Sequence, residues 1–245
     1  MSSIFRSSVK PDLSFIGVDM HSHLLPGLDD GLQQMEQTIS FIEKLKEFGY
    51  HKLICTPHII SDIYPNNHDT ILPKLDAVRK ALQEKNIEIQ IEAAAEYMVD
   101  IEMEKYIKAD KPLLTFGKNL ILIEMSYAAA SPNIEQVIFH LRMKGLQPVL
   151  AHPERYSFYH DKFESYERFV ELGCLLQINL LSLLGYYSKP VKAIAEKFVK
   201  NKMVDLLGTD MHHATHLSAL NKLASQKNFY KLIADLNVKN KELLS

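Results

Sequence analysis

Residues 15–31 read FIGVDMHSHLLPGLDDG: an apolar run of strand length that passes without a break into two histidines one residue apart. Residues 15–20 have the short buried character of a parallel-sheet strand, and His21, His23 and Asp30 stand beyond its carboxyl end. Next, Met35, Ile39, Ile42, Leu45 and Phe48 recur at helical spacing, with Gly49 where a C-cap belongs. Strand, polar loop and amphipathic helix in this order make a βα unit.

Working outward, the unit repeats. Further strands are expected at 52–56, 88–94, 120–124, 147–151, 174–179 and 203–208, making seven in all. Helical patterns fill 70–84, 132–144, 162–172 and 190–201, the last with a proline at its first turn, and 218–244 reads as one or two covering helices. No linker, repeat or low-complexity tract interrupts the order. The expectation is an extended arm over residues 1–14 and a single α/β domain over 15–245, mostly parallel, with periodicity alone leaving an open sheet and a closed or distorted barrel both open.

Composition narrows the function. With 245 residues, 47% of them hydrophobic and 24% charged, the chain can bury a sizeable core. A net charge of -2 gives no electrostatic reason to expect nucleic acid or a membrane surface as partner. No stretch has the roughly 18 apolar residues of a membrane span, and the amino-terminal residues lack an apolar signal core, so a cytoplasmic location is expected. Cys55 and Cys174 sit in apolar runs as reduced core thiols. Neither begins a Cys-x5-Arg phosphatase loop, since Ser61 and Leu180 stand six positions on.

The imidazoles and carboxylates fall at strand ends. His21, His23 and Asp30 follow the first strand, His58 the second, Glu96 the third, His152 the fifth, and Asp210 and His212 the seventh. Loops at the carboxyl ends of parallel strands share one face, so these eight side chains are expected to meet. Alternation of side chains along extended backbone would aim His21 with His23, and Asp210 with His212, the same way. Singly, each has an ordinary explanation: His-x-His is common, Asp29 or Asp30 would serve as a helix cap, His58 as a turn residue, Glu96 as a solvated acid. Jointly, five strand ends with metal-type ligands and almost none elsewhere point to a metal centre.

Imidazole with carboxylate suits manganese, iron or zinc, and the lack of cysteine ligands argues against a structural zinc. Five imidazoles and three carboxylates exceed the needs of one ion and suit two or three, leaving an electropositive pocket for an anion. His51, His68, His140, His160, His213 and His216 read as surface or structural residues. Tyr156, Phe158, Tyr159, Tyr186 and Tyr187 either line a cleft or cap the sheet.

The motifs DMHSHLLPGLDDG, TPH, AEYMVD, AHPERY, QINLLSLLGYY and GTDMHH, in this order from Gly17 to Leu217, resemble the PHP (polymerase and histidinol phosphatase) superfamily. More narrowly, they resemble its bacterial tyrosine phosphatases of capsule and exopolysaccharide operons, the CpsB/YwqE type. The resemblance implies a distorted (β/α)7 barrel, a manganese-preferring trinuclear centre and activity on phosphotyrosine of bacterial tyrosine kinases. It carries the metal roles onto His21, His23, Asp30, His58, Glu96, His152, Asp210 and His212, and phosphate binding onto Arg155. A second phosphate-binding arginine has no secure match, Arg79 being the one candidate. Ala93-Ala94-Ala95 before Glu96 and Ile59 after His58 depart from the pattern, and the arm before Gly17 is longer than the minimal family start. Hydrolysis by a metal-activated hydroxide is the implied mechanism. Rival readings are a small-molecule phosphatase for a histidinol-phosphate-like substrate, a nuclease-like phosphoesterase and a non-catalytic metal-binding regulatory module.

Overall fold

A computed structural model describes residues 11–109 and 111–244. The strands are β1 (Val18–Asp19), β2 (Lys52–Cys55), β3 (His58–Ile59), β4 (Gln90–Ala93), β5 (Glu96–Met98), β6 (Leu120–Glu124), β7 (Gln147–Ala151), β8 (Leu175–Asn179) and β9 (Leu206–Gly208). They form two sheets, ordered β1-β2-β4 and β3-β5-β6-β7-β8-β9, in which every pairing is parallel. This is the α/β architecture expected, with one difference. The second and third expected strands end at Cys55 and Ala93, and each is continued after a break by a further short strand, β3 and β5.

The interruption follows from local chemistry. After Cys55 the Thr56 N–H turns aside to the Ser22 carbonyl, and Pro57 has no N–H to continue a ladder. Ala94 and Ala95 break the neighbouring strand at the matching level, so the register runs from Cys55 opposite Ala93 to His58 opposite Glu96. Each broken segment therefore joins both sheets. Beyond β1 and β9 the segments that follow these strands are tied as well: Asp210 N–H donates to the His21 carbonyl (2.8 Å) and His23 N–H to the Met211 carbonyl (2.9 Å). Those bonds set His21–His23 beside Asp210–His212.

Helices cover the strands: α1 (Met35–Glu47), α2 (His68–Glu84), α3 (Ile101–Lys108), α4 (Ile134–Met143), α5 (Glu164–Glu171), α6 (Leu180–Leu184), α7 (Lys189–Lys200), α8 (Ala214–Ala224) and α9 (Lys227–Ile233). Their starts obey capping rules. Asn67 and Thr70 form a capping box on α2, Asp100 caps α3, and Ser188 caps α7 ahead of Pro190. The short α3 and α6 were not expected from periodicity, and α8 starts at Ala214 instead of 218. The first strand is shorter than expected because Leu13–Ile16 makes a turn. Residues 1–10 of the expected arm lie outside the described residues; of the rest, Leu13 is buried and its N–H donates to the Phe48 carbonyl.

Inward faces change character along the strands. On β6, Leu120 and Leu122 join an apolar cluster with Val18, Met20, Val149, Ala151 and Leu206, and Glu124 follows on the same face at the carboxyl end. Leu175, Gln177 and Asn179 make the same progression on β8. The apolar layer excludes water beneath, and the polar layer faces the loops.

Candidate metal centre

The eight sequence-predicted residues come together at that polar end, and Glu124 joins them. Groups of candidate donor atoms lie within mutual reach: His23, Asp30, His58 and His212; His21, His23 and Glu96; His21, His152 and Asp210; His58, Glu96 and Glu124. Glu96 is central. Its carboxylate lies 3.2 Å from His21 Nε2, 3.3 Å from His23 Nε2, 3.2 Å from His58 Nδ1 and 3.0 Å from His152 Nε2.

Several imidazoles are oriented from behind, so that one nitrogen is spoken for and the other faces the cluster. His21 Nδ1–H donates to Gln177 Oε1 (2.8 Å), and His23 Nδ1–H to Asp29 Oδ2 (2.7 Å). His212 Nδ1–H donates to the Asp210 carbonyl (2.9 Å). The Nε2 atoms of His21 and His23 consequently point at one another across 3.3 Å. Close approach here requires glycine nearby: a Cβ on Gly31 would sit 2.2 Å from the His23 carbonyl, and one on Gly208 would sit 2.8 Å from His21 Cβ.

Asp29 and Asp30 prove to have different jobs, and neither caps α1, which starts after Gln34. Asp29 is buried and accepts from His23, from Gly31 N–H (2.9 Å) and from His58 N–H (2.9 Å). Asp30, its side chain 56% exposed, reaches from the rim to 3.5 Å from Nε2 of both His58 and His212. The Asp210–His212 pair converges by a route that strand alternation does not supply. Asp210 has φ 50, a left-handed backbone costly for a residue with a Cβ, and His152 likewise has φ 33.

Electrostatics show a site short of positive charge. Burial opposes protonation of His21, yet Glu96 and Asp210 outweigh it and raise its pKa to about 10. His58 rises to about 10 against the same opposition, through Glu96 and Glu124. Burial, then Glu96, pushes Glu124 up to about 7, whereas burial pulls His152 down to about 4. Although burial works against ionised Asp210, His21 and His212 hold it well below the carboxylate range. Protons on imidazole are thus doing what cations do better. Geometry agrees: His58 Nδ1 and Glu124 Oε1 have only the cluster's own groups to meet, facing each other at 2.8 Å, and His152 Nδ1 is buried without a hydrogen-bonding partner. A divalent ion fits this donor set.

Arg155 follows His152 in a 3-10 turn, Pro153–Arg155. It does not pair with its neighbour Glu154, whose Oε1 accepts from Asn179 N–H (2.9 Å) and Ser182 Oγ–H (2.6 Å). Instead Arg155 Nη1–H donates to Asp210 Oδ2 (2.9 Å), an oxygen that also accepts from Asn179 Nδ2–H (2.7 Å). Its Cζ lies over the rings of Tyr127 (4.5 Å) and Tyr187 (4.2 Å). Arg79 is elsewhere, donating to the Ile91 carbonyl and pairing with Asp76, and so is no part of this centre.

The model of the capsular polysaccharide synthesis family CpsB/CapC matches residues 17–235. The chain belongs to this CpsB/CapC family. Among CpsB/CapC relatives, the tyrosine-protein phosphatase YwqE of Bacillus subtilis is 28% identical over 196 residues, covering 80% of this chain and 77% of that protein. The tyrosine-protein phosphatase CpsB of Streptococcus agalactiae is 25% identical over 201 residues, covering 80% and 83%. A solved structure, from work on YwqE of Bacillus subtilis and CpsB of Streptococcus pneumoniae described as unique metal-dependent tyrosine phosphatases, superposes with a TM-score of 0.78 at 26% identity, covering 93% of this chain and 94% of that one.

For this CpsB/CapC member, the residues expected from sequence did not include Glu124, Asp29 in its orienting role, Gln177 or Tyr127, while His216, expected as a surface or structural residue, is a structural one. Glu124 had a usable signal, since it closes the apolar run LILIE at a strand end otherwise without a ligand. His216 is buried, with Nδ1 3.0 Å from the Asp210 carbonyl, and so belongs to the support of the centre; nothing in its spacing announced it.

Proposed function

We propose that this protein is a metal-dependent phosphatase that hydrolyses phosphotyrosine on protein, with a bacterial tyrosine kinase of polysaccharide biosynthesis as substrate, in the cytoplasm. The observation that carries the reading is the set of buried imidazoles and carboxylates whose donor atoms converge within metal-binding reach of one another, beside an arginine held over two rings. The names of the CpsB/CapC relatives support the phosphotyrosine substrate. We further read residues 15–245 as one domain, a distorted (β/α)7 barrel in which the bonds between the ends of β1 and β9 complete the circuit.

His21, His23, Asp30, His58, Glu96, His152, Asp210 and His212, with Glu124 added, would hold two or three divalent ions of the manganese, iron or zinc kind, manganese being the one that the resemblance to the CpsB/YwqE phosphatases implies. Ions so held supply Lewis-acid charge for the phosphoryl oxygens and lower the pKa of water from 15.7 to about 7. The chain's own residues do the rest. Asp29 and Gln177 keep Nε2 of His23 and His21 facing inward. Asp210 divides its oxygens, with Oδ1 3.4 Å from His21 Nε2 and Oδ2 held by Arg155 and Asn179, so Arg155 is anchored at the edge of the centre. Its remaining N–H donors are available to phosphoryl oxygens, where a planar fork gives orientation as well as charge. The phenolate leaving group, with a pKa near 10, departs with less help from an acid than an alkoxide needs.

The test compares turnover of a phosphotyrosyl peptide with that of histidinol phosphate, each with manganese and with chelator. Manganese-dependent preference for the peptide is expected. Faster hydrolysis of histidinol phosphate, or turnover indifferent to chelator, would sink the proposal.

A further inference from the structure

Tyr127 stands in the loop after β6, between the centre and solvent. The residue is 45% exposed, yet its hydroxyl points inward and lies 3.3 Å from His152 Nε2. That nitrogen is also 3.0 Å from Glu96 Oε1, and His152 Nδ1 is buried without a partner, so Nε2 is the atom through which His152 faces the centre. The Tyr127 ring carries Arg155 at 4.5 Å, and Arg155 itself holds Asp210. One side chain therefore touches a candidate ligand with its hydroxyl and the candidate anion-binding group with its ring.

An imidazole nitrogen has one lone pair. When His152 Nε2 gives it to a cation, that nitrogen can neither donate to Glu96 nor accept from Tyr127, and the hydroxyl, a donor at neutral pH, needs an acceptor within the same reach. Arg155 has no acceptor to offer. An anion bound between the centre and Arg155 does. We infer that Tyr127 is a substrate-binding residue whose hydroxyl donates a hydrogen bond to an oxygen of the bound phosphoryl group, while its ring keeps Arg155 edge-on to the same group. This rests on the function proposed above. It adds a phosphate contact from the loop after β6, a part that Arg79, held by Ile91 and Asp76, does not take.

Tyr127→Phe separates the hydroxyl from the ring, because the ring and its contact with Arg155 remain. Binding of inorganic phosphate to the manganese-loaded protein, followed by calorimetry, should weaken about ten-fold or more, as expected for loss of a hydrogen bond to a charged group. Manganese content by elemental analysis should stay at the wild-type level. Phosphate affinity within about two-fold of wild type, less than the loss of even an ordinary hydrogen bond, would overturn the inference. So would loss of manganese from the variant, which would make Tyr127 a support for His152 and nothing more. If the wild-type protein binds phosphate and turns over the phosphotyrosyl peptide while Tyr127→Phe behaves identically, the inference alone fails. A wild-type protein that does neither removes the proposed function and the inference together.

Discussion

At the amino ends of the strands, a buried lysine and a buried asparagine are held by protein groups. Lys52 Nζ donates to the Leu243 carbonyl (2.7 Å) and pairs with Glu92 (2.8 Å). Asn240 donates to the carbonyls of Val18 (2.9 Å) and Leu207 (2.7 Å) and accepts from Leu207 N–H (2.9 Å). At the carboxyl ends, His152 Nδ1 is buried without a hydrogen-bonding partner, His58 Nδ1 and Glu124 Oε1 meet as an ion pair at 2.8 Å, and buried His152 and Asp210 hold left-handed backbones, whereas the left-handed residues ahead of β4 and β9, Asn86 and Lys202, are exposed. At the amino end these two groups are held by protein, and Tyr50 Oη is the one buried side-chain atom before β2 among the described residues left without a hydrogen-bonding partner. The carboxyl end is arranged so that something other than protein finishes it, and the strain there is maintained by the packing beneath.

The contrast breaks most severely at Glu96. Glu96→Ala removes the carboxylate that four imidazoles share, and phosphatase turnover should fall by well over the roughly 100-fold typical of groups that only orient ligands. Steady-state rates and metal content check this, and near-normal turnover would dissolve the distinction between the two ends.

Removing metal should expose the carboxyl end's dependence on protons. The pKa values of His21 and His58, about 10, lie above the ordinary 6.5, so their contribution is full below that value and is lost as pH rises through 10. Glu124, raised to about 7 from 4.5, likewise favours the folded state below 4.5 and ceases to do so as pH rises through 7. His152, lowered to about 4, acts oppositely, and its contribution is lost as pH falls through that value. Thermal melting with chelator should therefore change little between about pH 4.5 and 6.5, where the losses at Glu124 and the gains at His152 offset each other, and decline from about pH 6.5 to 10. Manganese should abolish most of that decline, because cations replace the protons.

A milder change sharpens the comparison. Asp29→Ala leaves the ligand set intact but frees His23 Nδ1 and the His58 N–H, so metal affinity should drop about 10- to 100-fold with the fold retained. Metal titration by calorimetry reads the drop directly. At the other end, Asn240→Ala strands buried backbone groups and should cost about 1–3 kcal/mol of stability, while turnover per folded molecule stays unchanged. A loss of activity there would show that the amino end also shapes the centre.

Much of this organisation is legible in the chain itself. His21, His58, His152 and Asp210 each follow an apolar run, and such a run is itself the local signal of a buried strand, so their common placement needs no knowledge of distant residues. Glu124 went unread because it belongs to its strand in place of following it. Asp29 and Asp30 are adjacent and chemically alike; only the position of His23 Nδ1 against one, and of His58 and His212 against the other, tells them apart. Arg79 and Arg155 were both open as anion binders, and the helix face of α2 spends the former on Ile91.

By itself the sequence determined the order of βα units and which imidazoles and carboxylates stand at their carboxyl ends, since alternation, helical spacing and capping act over a few residues. Tertiary structure alone decided the breaks after Cys55 and Ala93, the left-handed turns at His152 and Asp210, the pairing of Arg155 with Asp210 and the place of Tyr127. Those depend on contacts such as His21 with Gln177, 156 residues apart, whose geometry exists only once the strands have packed side by side.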